Sequence, residues 1–165
     1  MLRLAATEDF KEECRKGLLF LSLQAMELEY RDLMWQFCRL VDITEKPEFL
    51  VIGVPFRAAR EMPQFEDVVH FIHSLKLRVA YTDFAGTAEE LQQTGELKID
   101  FVKLASSLIE NIDESSARQD QIDSIVQTAA ELNSVVLASN ITTSTEAEVC
   151  KALGCFLGEG AFFKA

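Results

Sequence analysis

The feature that most constrains this chain is an alternation of short apolar runs with helical patterns, sustained over nearly its whole length. Runs at residues 18–23 (LLFLSL), 49–54 (FLVIGV), 77–81, 97–99, 134–138 (SVVLA) and 155–157 have strand length and read as six strands buried on both faces. Between them, apolar residues recur at helical spacing. Met26, Tyr30, Leu33, Met34, Phe37, Cys38 and Val41 form one such face, and Phe65, Val68, Val69, Ile72 and Leu75 another. Further helices are expected over 7–16, 101–109, 117–132 and 146–153, with a short one between Gly86 and Gly95. Strand-helix alternation with right-handed crossovers leaves two parallel architectures, an open doubly wound sheet or a closed (β/α) barrel. No glycine-rich phosphate loop follows the first strand, so a nucleotide-binding open sheet has no support.

In parallel folds ligands gather at the carboxyl ends of strands. The stretch 77–104 then draws the eye, because its two expected strands end in Asp83 and Asp100, with Lys98 beside the second. Composition narrows what such a site could serve. At 165 residues and 48% hydrophobic content, a single domain over 1–165 with a substantial core is expected. The formal net charge of −11 opposes general binding to nucleic acid or to an anionic membrane. No apolar run reaches bilayer-spanning length and the first residues are too acidic for a signal peptide, so the expectation is a soluble, cytoplasmic chain. Cys14, Cys38, Cys150 and Cys155 form no CxxC pair and read as reduced core thiols. His70 and His73 share one side of a helix, a spacing that could hold a metal, but the helix pattern accounts for them as polar-face residues.

The ordered strand endings LSLQ, LVIGV, VAYTDF, LKID, VVLASNITT and LGCFLGEG resemble the later motifs of the EAL domain, the cyclic diguanylate phosphodiesterase family of bacterial signal transduction. LKIDFVK is the nearest match; VAYTDF is similar to the family's LALDDFG, and LGCFLGEGAFF to its LGC-x-x-x-QG ending. The resemblance runs from about Phe10 to Ala165 and implies an incomplete or modified TIM barrel, one module of a larger signalling protein. In that family, strand-end carboxylates and an amide hold two divalent cations, Mg²⁺ or Mn²⁺, which clamp a phosphodiester and acidify a bound water.

Carried over residue by residue, the resemblance implies a degenerate site. The signature Glu-Ala-Leu strand has no counterpart. The family's Asn falls near Ser22, the next strand's Glu on Gly53, and the first Asp of DDFG on Thr82. The two Glu positions of AEGVET fall on Ser139 and Thr142. What remains is Asp83, Lys98 as the family's water-positioning lysine, Asp100 after it, and Glu159 where the family has Gln, followed by a retained Gly160. Hydroxyls and glycine cannot replace bridging carboxylates, so no metal cofactor and no catalysis are expected. The residual Asp83, Lys98 and Asp100 read either as a leftover ligand site or as an internal salt-bridge cluster at the barrel mouth; the second requires Lys98 within ion-pair distance of Asp83 or Asp100. The function implied is signalling through dimerisation or a protein partner, with the loop 84–95 a candidate surface. The alternatives are a non-hydrolysing cyclic diguanylate receptor, for which Phe56, Arg57 and Arg60 are the candidate guanine contacts, and a residual phosphodiesterase.

Overall fold

The computed structural model describes residues 17–23 and 30–163, and for residues 30–33 the backbone alone. The helix expected over 7–16, the start of the one from Met26, and Cys14 lie outside the described residues. The chain divides into two compact units, Met1–Ala80 and Tyr81–Ala165.

In the first unit, β1 (Leu19–Ser22) pairs in parallel with β2 (Leu50–Pro55), Ser22 facing Gly53 in register. Leu50, Val51, Ile52 and Val54 are all at most 1% exposed, as a strand covered on both faces must be. Helix α1 (Tyr30–Asp42) buries Phe37 and Leu40, three apart, while Cys38 is exposed, as is Trp35. Cys38 is therefore not the core thiol its place in the apolar stripe suggested. After β2 comes an unforeseen short helix, α2 (Phe56–Glu61), and then α3 (Phe65–Ser74), which buries Phe65, Val68, Val69 and Ile72. His70 on α3 is exposed.

The second unit begins inside β3 (Arg78–Phe84), which starts a residue later and runs three further than expected, so that Thr82 and Asp83 are strand residues. Leu77 is spent on the helix before it, its N–H donating to the Ile72 carbonyl at 3.2 Å. Helix α4 (Ala88–Gln92) has a reciprocal capping box between Thr87 and Glu90. The fourth strand is where sequence and structure part. Residues 97–99 are not a strand, because the N–H groups at both ends of that run are used locally, Leu97 to Thr94 and Ile99 to Leu97, both at 2.9 Å. The strand is β4 (Phe101–Leu104), inside the span expected to be helical, and only the single turn α5 (Ser106–Ile109) follows it. Phe101, Val102 and Leu104 are at most 3% exposed, burial that a sheet surrounded on both sides supplies.

Helix α6 (Ser116–Glu131) is capped by Ser115, contacts α4 and β5 (Val135–Ala138), and buries Ile122, Ile125 and Ala129. Helix α7 (Ser144–Ala152) leads to β6 (Leu157–Gly158). Cys155, expected in that strand, instead closes α7, its N–H donating to the Cys150 carbonyl at 3.0 Å. Strands β4, β5 and β6 pair in parallel.

The six strands stand in chain order, β1 through β6. A doubly wound sheet reverses order at its switch point, whereas a (β/α) barrel adds each strand beside the last. The order therefore decides between the two architectures: this is an incomplete TIM barrel of six parallel strands alternating with helices. Among the described residues no helix is long and apolar enough to cross a membrane.

Candidate functional site at the strand ends

The register of the second unit fixes which side chains can meet. Lys103 on β4 lies opposite Leu137 on β5, and Leu137 opposite Leu157 on β6. Register partners in a parallel sheet share a face, and Glu159, two residues beyond Leu157, returns to that same face. Lys103 and Glu159 accordingly form an ion pair at 2.5 Å, with side chains 20% and 49% exposed. The lysine on this face near the end of β4 is thus Lys103. The motif LKID pointed to Lys98, but Lys98 is exposed on the approach to β4 and lies outside the strand. Asp100 stands at the amino end of β4, its carbonyl accepting from the Val135 N–H at 2.9 Å, whereas Asp83 is near the carboxyl end of β3. Asp83 and Asp100, expected together at strand ends, stand at opposite ends of their respective strands. A salt bridge is present at the strand ends, made by a different pair. The signal for Lys103 lies in FVKL, a strand pattern carrying one lysine, but the same residues also open the apolar spacing of a helix.

The remaining positions are occupied by backbone chemistry. Ser139, 7% exposed, donates its hydroxyl to the Leu104 carbonyl at 2.6 Å and so ties the end of β5 to β4. Thr142 turns to Glu146, donating from its N–H at 2.8 Å and its hydroxyl at 2.9 Å to one carboxylate oxygen. That oxygen also accepts from the Thr143 N–H, and the other from the Asn111 N–H at 3.0 Å. Burial raises the Glu146 pKa, but the donors from Thr142, Asn111 and Thr143 outweigh it and hold the carboxyl below its ordinary range. The sequence marks this buried acid, 4% exposed, only by its place at a helix start. Its effect is to fix the loop after β5, where Asn140 takes a left-handed φ of 59°.

That loop in turn fixes Glu159. The Ile141 N–H donates to the Glu159 carbonyl at 2.9 Å, and the Phe162 N–H to the Ile141 carbonyl at 3.1 Å. Gly160, at φ 154°, lies so close to the Ile141 backbone that a Cβ there would collide with it. The retained glycine is explained by this close approach alone. Asp83 is exposed and has a φ of 52°, a conformation that Asp tolerates better than most residues. Thr82 beside it is 5% exposed. In the first unit, Ser22 is exposed at the end of β1, and Gly53 offers no side chain. Phe56, a candidate guanine contact, is 5% exposed with the Arg60 guanidinium over its ring at 5.8 Å, so it has no free face of consequence; Arg57 is exposed.

These residues do not fit a pair of divalent cations. Among the described residues no three His, Cys, Asp or Glu side chains converge as a metal site. Within the second unit the strand ends offer the exposed carboxylate of Asp83, hydroxyls engaged with backbone or with Glu146, and a lysine whose charge is matched by the half-exposed Glu159.

The chain matches the model of the EAL domain over residues 2–165. No curated protein matches it. Similar solved structures include the Klebsiella pneumoniae BlrP1 manganese and cyclic-di-GMP complex, at 22% identity and a TM-score of 0.80, covering 92% of this chain and 40% of that one. The Pseudomonas aeruginosa FimX EAL domain bound to c-di-GMP has 14% identity and a TM-score of 0.81, covering 95% and 66%. The Mycobacterium smegmatis DcpA EAL domain has 14% identity and a TM-score of 0.79, covering 98% and 75%. The chain spans only 40% and 38% of the two BlrP1 chains it matches. At these identities the structures establish the shared fold, and the family-model match over nearly every residue establishes the membership: the chain belongs to the EAL domain family.

Proposed function

We propose that this chain is a degenerate, catalytically inactive EAL domain that acts in signalling by interaction, through self-association or a protein partner. The observation that carries the reading is the Lys103–Glu159 pair, in which the lysine near the end of β4 is neutralised internally and not left to face a phosphodiester. Ser139 supports it, since at a position where the family resemblance implies a carboxylate it donates to a backbone carbonyl. A two-metal mechanism needs several anionic oxygens around both ions, and the strand ends of the second unit supply one exposed aspartate.

The second reading, a receptor that binds cyclic diguanylate without cleaving it, is favoured by the c-di-GMP in the FimX structure. It must manage without Phe56, leaving Arg57 as the accessible candidate. Calorimetry with cyclic diguanylate, with and without Mg²⁺, joined to a Mn²⁺-supplemented hydrolysis assay, separates the readings. The interaction reading expects neither binding heat nor linear product. Heat without product establishes the receptor, and product overturns both.

A further inference from the structure

We propose that Cys150 and Cys155 are a reversible dithiol site that exchanges with small-molecule disulfides and closes to an internal disulfide at the end of α7. The sequence CKALGC spans the helix terminus, and the backbone there folds back on itself. The Gly154 N–H donates to the Lys151 carbonyl at 3.1 Å with Gly154 at φ 89°, and the Cys155 N–H donates to the Cys150 carbonyl at 3.0 Å. This return sets the two cysteines at helix-end positions whose side chains commonly touch, and both are free thiols, 2% and 7% exposed, that line one groove. A disulfide requires two side chains that can meet without backbone movement, which a turn closed by the Cys155 N–H on the Cys150 carbonyl favours.

Burial alone would make the pair inert, but both cysteines line an open groove of about 500 Å³ walled by Phe156, Phe162 and Phe163. Phe156, on the wall of the groove, is 85% exposed. The thiols are also inequivalent. The hydrogen bond from Cys155 lowers the Cys150 pKa against the opposing effects of burial and Glu146, while donating that bond, together with burial, raises that of Cys155. Cys150 is the attacking sulfur and Cys155 the resolving one.

The chemistry is thiol–disulfide exchange with a disulfide of the glutathione type. The Cys150 thiolate, its proton released to solvent, attacks one sulfur, breaking that S–S bond and expelling one glutathione thiolate. The Cys155 thiol passes its proton to that thiolate, and its sulfur displaces the second glutathione from Cys150; solvent returns a proton to this leaving group. Two protein thiols are oxidised and one external disulfide is reduced to two thiols.

The test is peptide mapping of the native full chain after incubation with oxidised glutathione and alkylation, with circular dichroism before and after. The exposed Cys38 is the internal control for reagent activity. The expected product is a Cys150–Cys155 cross-linked peptide that dithiothreitol reverses, whereas C155S stops at glutathione on Cys150. Glutathione on Cys38 with both Cys150 and Cys155 still alkylated overturns the proposal, as does native chain that accumulates glutathione on Cys150 without the cross-link. The decisive arm uses unmutated chain, so a variant that misfolds leaves the outcome readable.

Discussion

At the scale of single residues, the chemistry turns on Lys103. Its face of the sheet is set by register, and with a side chain only one-fifth exposed it is partly desolvated. Glu159 compensates that loss, yet the acid is half exposed, so water screens the pair and its worth is that of a surface bridge, about 0.5–1 kcal/mol. Glu159→Gln is therefore expected to cost about 1 kcal/mol or less, and Lys103→Met/Glu159→Gln together less than the sum of the two single changes. Urea denaturation of the four proteins of the cycle measures this coupling. A loss near ~3 kcal/mol for Glu159→Gln would instead mark a buried charge left unpaired, and a stronger role for the pair than its exposure implies. Lys98, exposed and outside any strand, serves as the control, and its replacement by Ala is expected to change stability by under about 0.5 kcal/mol.

At the scale of elements, the start of α7 concentrates the most binding capacity in one side chain. Thr143 and Glu146 form a reciprocal capping box, and the same carboxylate reaches Thr142 and, 35 positions away in sequence, the Asn111 N–H. Charge-assisted bonds of this kind are each stronger than neutral ones, so Glu146→Ala is expected to destabilise by on the order of 3 kcal/mol. The pH dependence follows from the direction of the shift. The folded pKa lies below the unfolded one, about 4.3, so this stabilisation is present in full above that value and is lost as pH falls through the folded pKa. In Glu146→Gln the stability curve is expected to be flatter on the acid side, by thermal melts from neutral pH downward. An unchanged acid limb would remove Glu146 as its source.

How much of this is legible in the sequence depends on whether an element's hydrogen bonds are visible there. β2 and β5 announce themselves because continuous apolar runs are buried where they stand, and their bounds come out within a residue or two. β4 and β6 do not, since short apolar runs flank turns that consume N–H groups: Ile99 to Leu97, and Cys155 to Cys150. Those displacements matter more for the site than for the fold. Moving β4 from 97–99 to Phe101–Leu104 replaces Lys98 by Lys103 as the inward lysine and carries Asp100 to the opposite end of the strand. That Gly53, Thr82, Ser139 and Thr142 carry no carboxylate is readable from residue identity, because no packing can give a glycine or a hydroxyl the charge of a carboxylate.

At the scale of the whole molecule, charge sets the terms of association. Two copies each carrying a formal −11 repel each other, so self-association has to be driven by apolar or hydrogen-bonding contact against that repulsion. Screening weakens repulsion more than it weakens apolar contact, and the Debye length falls from about 30 Å at 0.01 M salt to about 3 Å at 1 M. On the self-association branch of the proposed function, the dimer is therefore expected to tighten as salt rises, with sedimentation equilibrium showing a shift from monomer toward dimer at constant protein concentration. Dissociation on adding salt would mean that complementary charged patches hold the copies together despite the net charge. A monomer at every salt concentration would remove the homodimer and leave a different partner. On the partner branch of the proposed function, the net charge favours a basic protein surface whose binding is expected to weaken with salt, which is the opposite sign and can be read in the same instrument.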